Sequence, residues 1–188
     1  MLSTIPNILS LCRIALVPLV IIAFYVDNSC SRWAALIIFM IACFTDFLDG
    51  YLARIWQQTS RLGQALDPIA DKLLVSSTLL LLAGFDRITR LSLIPTTVIL
   101  CREIMVSGLR EYLSEFKLSL PVSFMAKWKT AVQMFSIGCL LLGDASKFGF
   151  LMRITGEVFL WIAAAMTLIT GWDYLKTCLH EIDSNQNK

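Results

Sequence analysis

Six stretches free of any charged residue recur along this chain, at 14–26, 33–45, 73–85, 91–101, 130–143 and 158–172. Each is 11 to 15 residues long. As a helix that is roughly 20 Å, against about 30 Å of bilayer hydrocarbon. Lipid offers the backbone no hydrogen-bond partner, so a segment that crosses it must be helical or close into a barrel. Each helix is therefore expected to continue into charged sequence to finish its crossing. The expected fold class is all-α: a polytopic membrane protein with six transmembrane helices, built as a single domain over 1–188. Composition agrees, with 57% hydrophobic residues and a mean hydropathy of +0.71. A net charge of +2 argues against a nucleic-acid partner.

The charged extensions gather at alternate ends of the runs. With the N-terminus inside, 11 of the 16 Lys and Arg residues fall on the cytoplasmic side. That bias predicts cytoplasmic N- and C-termini in an inner, cytoplasmic membrane. The turns at 27–32, 86–90 and 144–153 then face outward, and 113–125 is expected as a cytoplasmic loop. Charges below the headgroup plane require water, which predicts a polar cavity open to the cytoplasm. Residues 2–10 carry no charge and include Pro6; they are expected to form a short interfacial helix. No basic residue precedes Arg13, and no small-residue cleavage site follows, so this end reads as a retained segment. The six cysteines contain no Cys-x-x-Cys pair and read as small packing residues. His180, in the polar tail, reads as exposed.

Against this hydrocarbon background, four aspartates cluster between 46 and 72. Asp46 and Asp49 are three apart, and Asp67 and Asp71 four apart. On helices, both spacings put the two carboxylates on one face. Ionisable groups at membrane depth are costly and need partners. Hard carboxylate oxygens suit Mg²⁺ or Mn²⁺, and two such ions are the simplest neutralising partner. An ion site in a cation transporter or a non-catalytic lipid-binding scaffold are competing readings. The transporter predicts an ion path open to both sides, whereas these acids collect on one.

Written out, the segment is Asp46-x2-Asp49-Gly50-x2-Ala53-Arg54-x8-Gly63-x3-Asp67-x3-Asp71. It resembles the defining motif of the CDP-alcohol phosphotransferases at all eight positions. The resemblance implies a six-helix membrane enzyme, usually a homodimer, that transfers a phosphatidyl or similar group from a CDP-linked donor to an alcohol and releases CMP. It implies that Asp46, Asp49, Asp67 and Asp71 hold two metal ions and that Asp71 is the general base. Asn7, Asp49, Gly50, Ala53, Arg54, Ser60 and Gly63 become candidates for binding CDP-diacylglycerol. Gly50 and Ala53 keep one helix face small enough for a nucleotide to approach. Arg54 can fork onto phosphate oxygens. Gly63 is expected to let the connecting loop turn before the third helix.

Three further segments resemble the phosphatidylglycerophosphate synthase branch of that family: 5–8 leading to Arg13, 102–111, and 127–130 with Gln133. This implies glycerol 3-phosphate as acceptor. Its dianionic phosphate needs neutralising, and Arg102, Arg110, Lys127 and Lys129 are the candidates, with Glu103 and Glu111 orienting the arginines. Cardiolipin synthases and phosphatidylinositol-phosphate synthases of the same family remain rivals, because their acceptors also carry phosphate.

Overall fold

The computed structural model describes residues 5–56, 61–115, 124–145 and 148–186. Among them are six long helices and no strand: α1 (Ile5–Val26), α2 (Ser29–Trp56), α3 (Arg61–Gly84), α4 (Leu93–Glu115), α5 (Phe124–Leu142) and α6 (Gly149–Gln186). Each covers all or nearly all of one of the six apolar runs, missing at most two residues at an end, and every one overruns it into charged sequence. Four carry stretches long and apolar enough to cross a membrane: Ile8–Val26, Ser29–Asp46, Arg90–Leu109 and Gly149–Thr177. In α3 the apolar stretch starts only after Asp67, Asp71 and Lys72. In α5 the apolar segment is the shorter Trp128–Leu142.

Polar and apolar residues sort in the sense a lipid solvent demands. Arg13, Thr78, Gln133, Ser136, Thr167 and Thr170 are buried, while Ile22, Phe44, Leu80, Ile104 and Leu168 are exposed. In water the exposed apolar area would be a liability; in a bilayer it is the ordinary outer surface. The chain is a multi-pass membrane protein.

Several boundaries differ from expectation. Residues 5–10 are not a separate interfacial helix but the first turns of α1. Nothing between them and Arg13 breaks the helix, since Pro6 sits where its missing N–H is not needed. The expected 113–125 loop is shorter, because α4 runs to Glu115 and α5 starts at Phe124. The first turn shrinks to Asp27 and Asn28. There Ser31 N–H donates to Asn28 Oδ1 at 2.7 Å and Asn28 N–H donates to Ser31 Oγ at 2.9 Å. This reciprocal cap starts α2 early. Gly143, with φ of +39°, ends α5 in the left-handed conformation that glycine adopts without strain.

Contacts group the helices into two compact units, 1–88 with 137–156, and 89–136 with 157–188. In the first, α1 packs along both α2 and α3 around Val20, Phe24, Phe39, Leu74 and Leu82. Asp27, at φ +36°, ties the α1–α2 turn to the end of α3. It accepts from Arg32 Nε at 3.1 Å and from Arg87 Nη2 at 2.6 Å. Burial opposes ionisation of Asp27, but the hydrogen bonds and charges of Arg32 and Arg87 outweigh it and hold its pKa below the usual 3.8. A lowered carboxylate pKa stabilises the fold at neutral pH, and that contribution disappears as pH falls through the lowered value. Asp27→Asn keeps a residue tolerant of this backbone. It should remove the acid-dependent part of thermal stability below about pH 4, checked by melting both proteins across pH 3–7.

In the same unit, a Cβ on buried Gly156 would lie 2.7 Å from Leu140 Cγ and 3.2 Å from Leu140 N. The backbone atom cannot yield as a side chain can. Gly156→Ala should therefore destabilise by about 1–3 kcal/mol, read as a lowered thermal midpoint.

The second unit packs Ile99, Val106, Leu160, Ala163 and Ala164 as its core, with Phe135 edge-on to Phe159 at 4.9 Å. Glu157 of α6 accepts from Thr89 N–H at 3.0 Å, Thr89 Oγ1 at 2.7 Å and Ser92 Oγ at 2.8 Å. These bonds pin the start of α4 to α6.

Candidate active site

Helix α2 carries Asp46, Asp49, Gly50, Ala53 and Arg54, and α3 carries Asp67 and Asp71. Both aspartate pairs are thus helical, as their spacing requires for a shared face. Gly63 lies in the first turn of α3 and not in the connecting loop, which corrects the expected turn. Asn7 is in the first turn of α1. The side chains of Asn7, Asp49, Ala53, Arg54 and Asp67 and the surroundings of Gly50 and Gly63 lie outside the described residues, as does the whole of Ser60. Pro68 sits inside α3 between Asp67 and Asp71. Lacking an N–H, it denies the Gln64 carbonyl its usual helical donor within the segment that carries the acids.

Among the described side chains, Asp46 and Asp71 are both half-buried. Each lies far along its helix: Asp71 is about 20 Å from the C-terminal end of α3, and Asp46 about 25 Å from the start of α2. Both are within electrostatic reach of Cys43, one turn before Asp46. Both described aspartates of the motif therefore lie in the neighbourhood of Cys43, within the first unit. The third participant comes from α1. Arg13 is fully buried, and its Nη1 donates to Asp46 Oδ1. Sequence reasoning used Arg13 as a charge at the cytoplasmic end of the first run and as part of a resemblance, and assigned it no place in the site. The available signal was that Arg13 is the sole charge in the 22 residues of α1; an isolated intramembrane charge marks a functional position by default.

Among the described residues no cluster of three or more His, Cys, Asp or Glu is assembled; two of the four aspartates fall outside that set. The donor chemistry itself, carboxylate oxygens with no sulfur or imidazole, fits hard divalent cations.

In the second unit, Arg102 and Lys129 are buried and share Glu103. Lys129 Nζ donates to Glu103 Oε1, and Arg102 Nη1 lies 3.7 Å from the same oxygen. Glu103 was expected to orient arginines; its nearer partner is the lysine. Arg102 Nη2 also donates to Thr170 Oγ1 at 2.9 Å, and its guanidinium stands 5.7 Å from the Tyr174 ring. Thr170 and Tyr174 were not foreseen. Gly171 leaves room for this arginine, since a Cβ there would meet Arg102 Cγ at 3.1 Å. Gln133, one turn beyond Lys129 on α5, is also buried. The side chains of Arg110 and Lys127 lie outside the described residues, and Glu111 is exposed. The five described cysteines are free thiols.

Comparison with known proteins bears directly on this arrangement. The family model described as CDP-alcohol phosphatidyltransferase matches residues 3–169. The chain belongs to the CDP-alcohol phosphatidyltransferase family. Relatives in that family match along nearly their whole length. A Rickettsia felis protein named CDP-diacylglycerol–glycerol-3-phosphate 3-phosphatidyltransferase is 44% identical across 94% of this chain and 96% of its own. Proteins of the same name from Cereibacter sphaeroides and Haemophilus influenzae are 38% and 39% identical, covering 94% and 92% of this chain and 96% and 91% of theirs. The family match takes in both acid-bearing helices, α4, α5 and α6 as far as residue 169, so Arg13, the motif aspartates, Arg102, Glu103 and Lys129 fall within it, while Thr170 and Tyr174 lie just beyond.

Proposed function

We propose that this chain is a CDP-diacylglycerol–glycerol-3-phosphate 3-phosphatidyltransferase, making phosphatidylglycerol phosphate and CMP for phospholipid synthesis. The observation that carries the reading is 44% identity to a protein of that name over 94% of the chain. The acids on α2 and α3 and the buried basic cluster around Glu103 support it chemically.

In this reading Asp46, Asp49, Asp67 and Asp71 hold two Mg²⁺ or Mn²⁺ ions. When bound, such ions neutralise the donor diphosphate and the charge that develops on the departing CMP. Asp71 accepts the proton of a glycerol 3-phosphate hydroxyl. That oxygen bonds to the phosphorus bearing the diacylglycerol, the diphosphate P–O bond breaks, and CMP leaves with the bonding pair. Asn7, Asp49, Gly50, Ala53, Arg54, Ser60 and Gly63 contact the CDP-linked donor. Arg102, Arg110, Lys127 and Lys129 bind the acceptor phosphate. All six helices span the inner membrane with both termini and a polar cavity on the cytoplasmic side, and the enzyme is a homodimer.

The test is CMP release by the purified protein in detergent with CDP-diacylglycerol and Mg²⁺ or Mn²⁺. Glycerol 3-phosphate, phosphatidylglycerol and inositol phosphate are supplied in parallel. Release with glycerol 3-phosphate alone is the expected result. Release with another acceptor reassigns the basic cluster, and no release with any acceptor ends the transferase reading.

A further inference from the structure

We infer that Arg13 is a positioning residue of the carboxylate site, holding Asp46 from α1 so that α2 and α3 present their acids together. The inference rests on the metal reading proposed above and adds a helix that reading did not use. Arg13 is the sole charge on α1 and its side chain is 0% exposed, whereas that of Asp46 is 43% exposed. An arginine kept only for membrane topology extends its head toward water. This one is enclosed and donates to a motif carboxylate 33 residues away. Enclosing a guanidinium is costly unless a partner is fixed beside it. α1 packs along both acid-bearing helices, and Cys43 feels the charges of Arg13, Asp46 and Asp71 together. Arg13 therefore stands on the helix that packs against both motif-bearing helices, bonded to the first of the four aspartates.

Charge balance argues that it stays there in the loaded site. Four carboxylates are cancelled by two divalent ions, which leaves the two negative charges of a diphosphate. Arg13 and Arg54 together match those two. What Arg13 contributes besides charge is its planar, rigid fork, which a lysine ammonium on a flexible stem does not reproduce.

Arg13→Lys separates the two contributions, because charge is retained and only geometry is lost. The readout is Mn²⁺ binding to the purified full chain in detergent without substrate, followed by the electron paramagnetic resonance of free Mn²⁺. Arg13→Lys should weaken Mn²⁺ binding about ten- to a hundredfold with a thermal midpoint near that of the unmodified protein. In an Asp46→Asn background the same substitution should cause no further loss. Arg13→Gln, carried through the same two backgrounds, must show the same dependence on Asp46; it serves as the test if the lysine variant does not fold. Unchanged or tighter binding in the Arg13 variants overturns the inference alone. So does an equal loss in both backgrounds. An unmodified protein without saturable Mn²⁺ binding overturns the metal reading and this inference with it.

Discussion

Asp71→Asn is expected to lower the rate of CMP release by about 10²- to 10⁴-fold while leaving the thermal midpoint close to that of the unmodified protein. Asparagine copies the shape of the aspartate and removes two capacities, accepting a proton and carrying a metal-binding charge. Asp71 is half-buried on α3, shares the surroundings of Cys43 with Asp46, and follows Pro68 by three residues. The proposed chemistry needs a base at that place, because a neutral hydroxyl is a weak nucleophile toward phosphorus. Asp71→Glu keeps the base and moves it by about one methylene; misplacement of about 1 Å can itself cost on the order of 10²-fold. A single-turnover assay of both variants separates loss of chemistry from loss of geometry. Asparagine at the unmodified rate would remove Asp71 from the mechanism.

The second large effect is expected at Lys129. Lys129→Met should raise the KM for glycerol 3-phosphate about 10- to 100-fold, the weight of one charge-assisted hydrogen bond, and leave that for CDP-diacylglycerol nearly unchanged. A purely structural role makes a different prediction. Lys129 pairs with Glu103, so its loss leaves that carboxylate with only Arg102 at 3.7 Å among the ion pairs described. Were that the whole effect, Glu103→Gln would repair Lys129→Met by removing the stranded charge. If Lys129 binds the acceptor phosphate, the double variant keeps its high KM. Measuring both substrates in the single and double variants decides between the two.

Much of the architecture was legible because membrane helices are dictated locally. Backbone satisfaction in lipid forces the apolar runs into helices, and all six were found where their hydropathy put them. The acids were legible for a similar reason, since a three- or four-residue spacing has one meaning on a helix and both pairs proved to be helical. Less legible were the ends. The α1–α2 turn shrank to two residues because Asn28 and Ser31 cap each other, and Gly63 entered α3, since a glycine near a helix start is a turn signal only if the helix has not yet begun.

What lay beyond the sequence were partners on different helices. That Arg13 faces Asp46, that Glu103 chooses Lys129 over an arginine, and that Thr170 and Tyr174 meet Arg102 all depend on how each helix is rotated about its axis. Residue spacing along one helix carries no information about that rotation. It is settled by packing, through contacts such as Gly156 against Leu140 and Gly171 against Arg102 that let helices approach closely. Sequence alone determined that this chain is a helical membrane protein carrying two acid pairs and a set of basic residues beside its apolar runs. Only the tertiary structure decided which of those charges are neighbours, because pairing energy between side chains acts through space and falls away within a few ångströms.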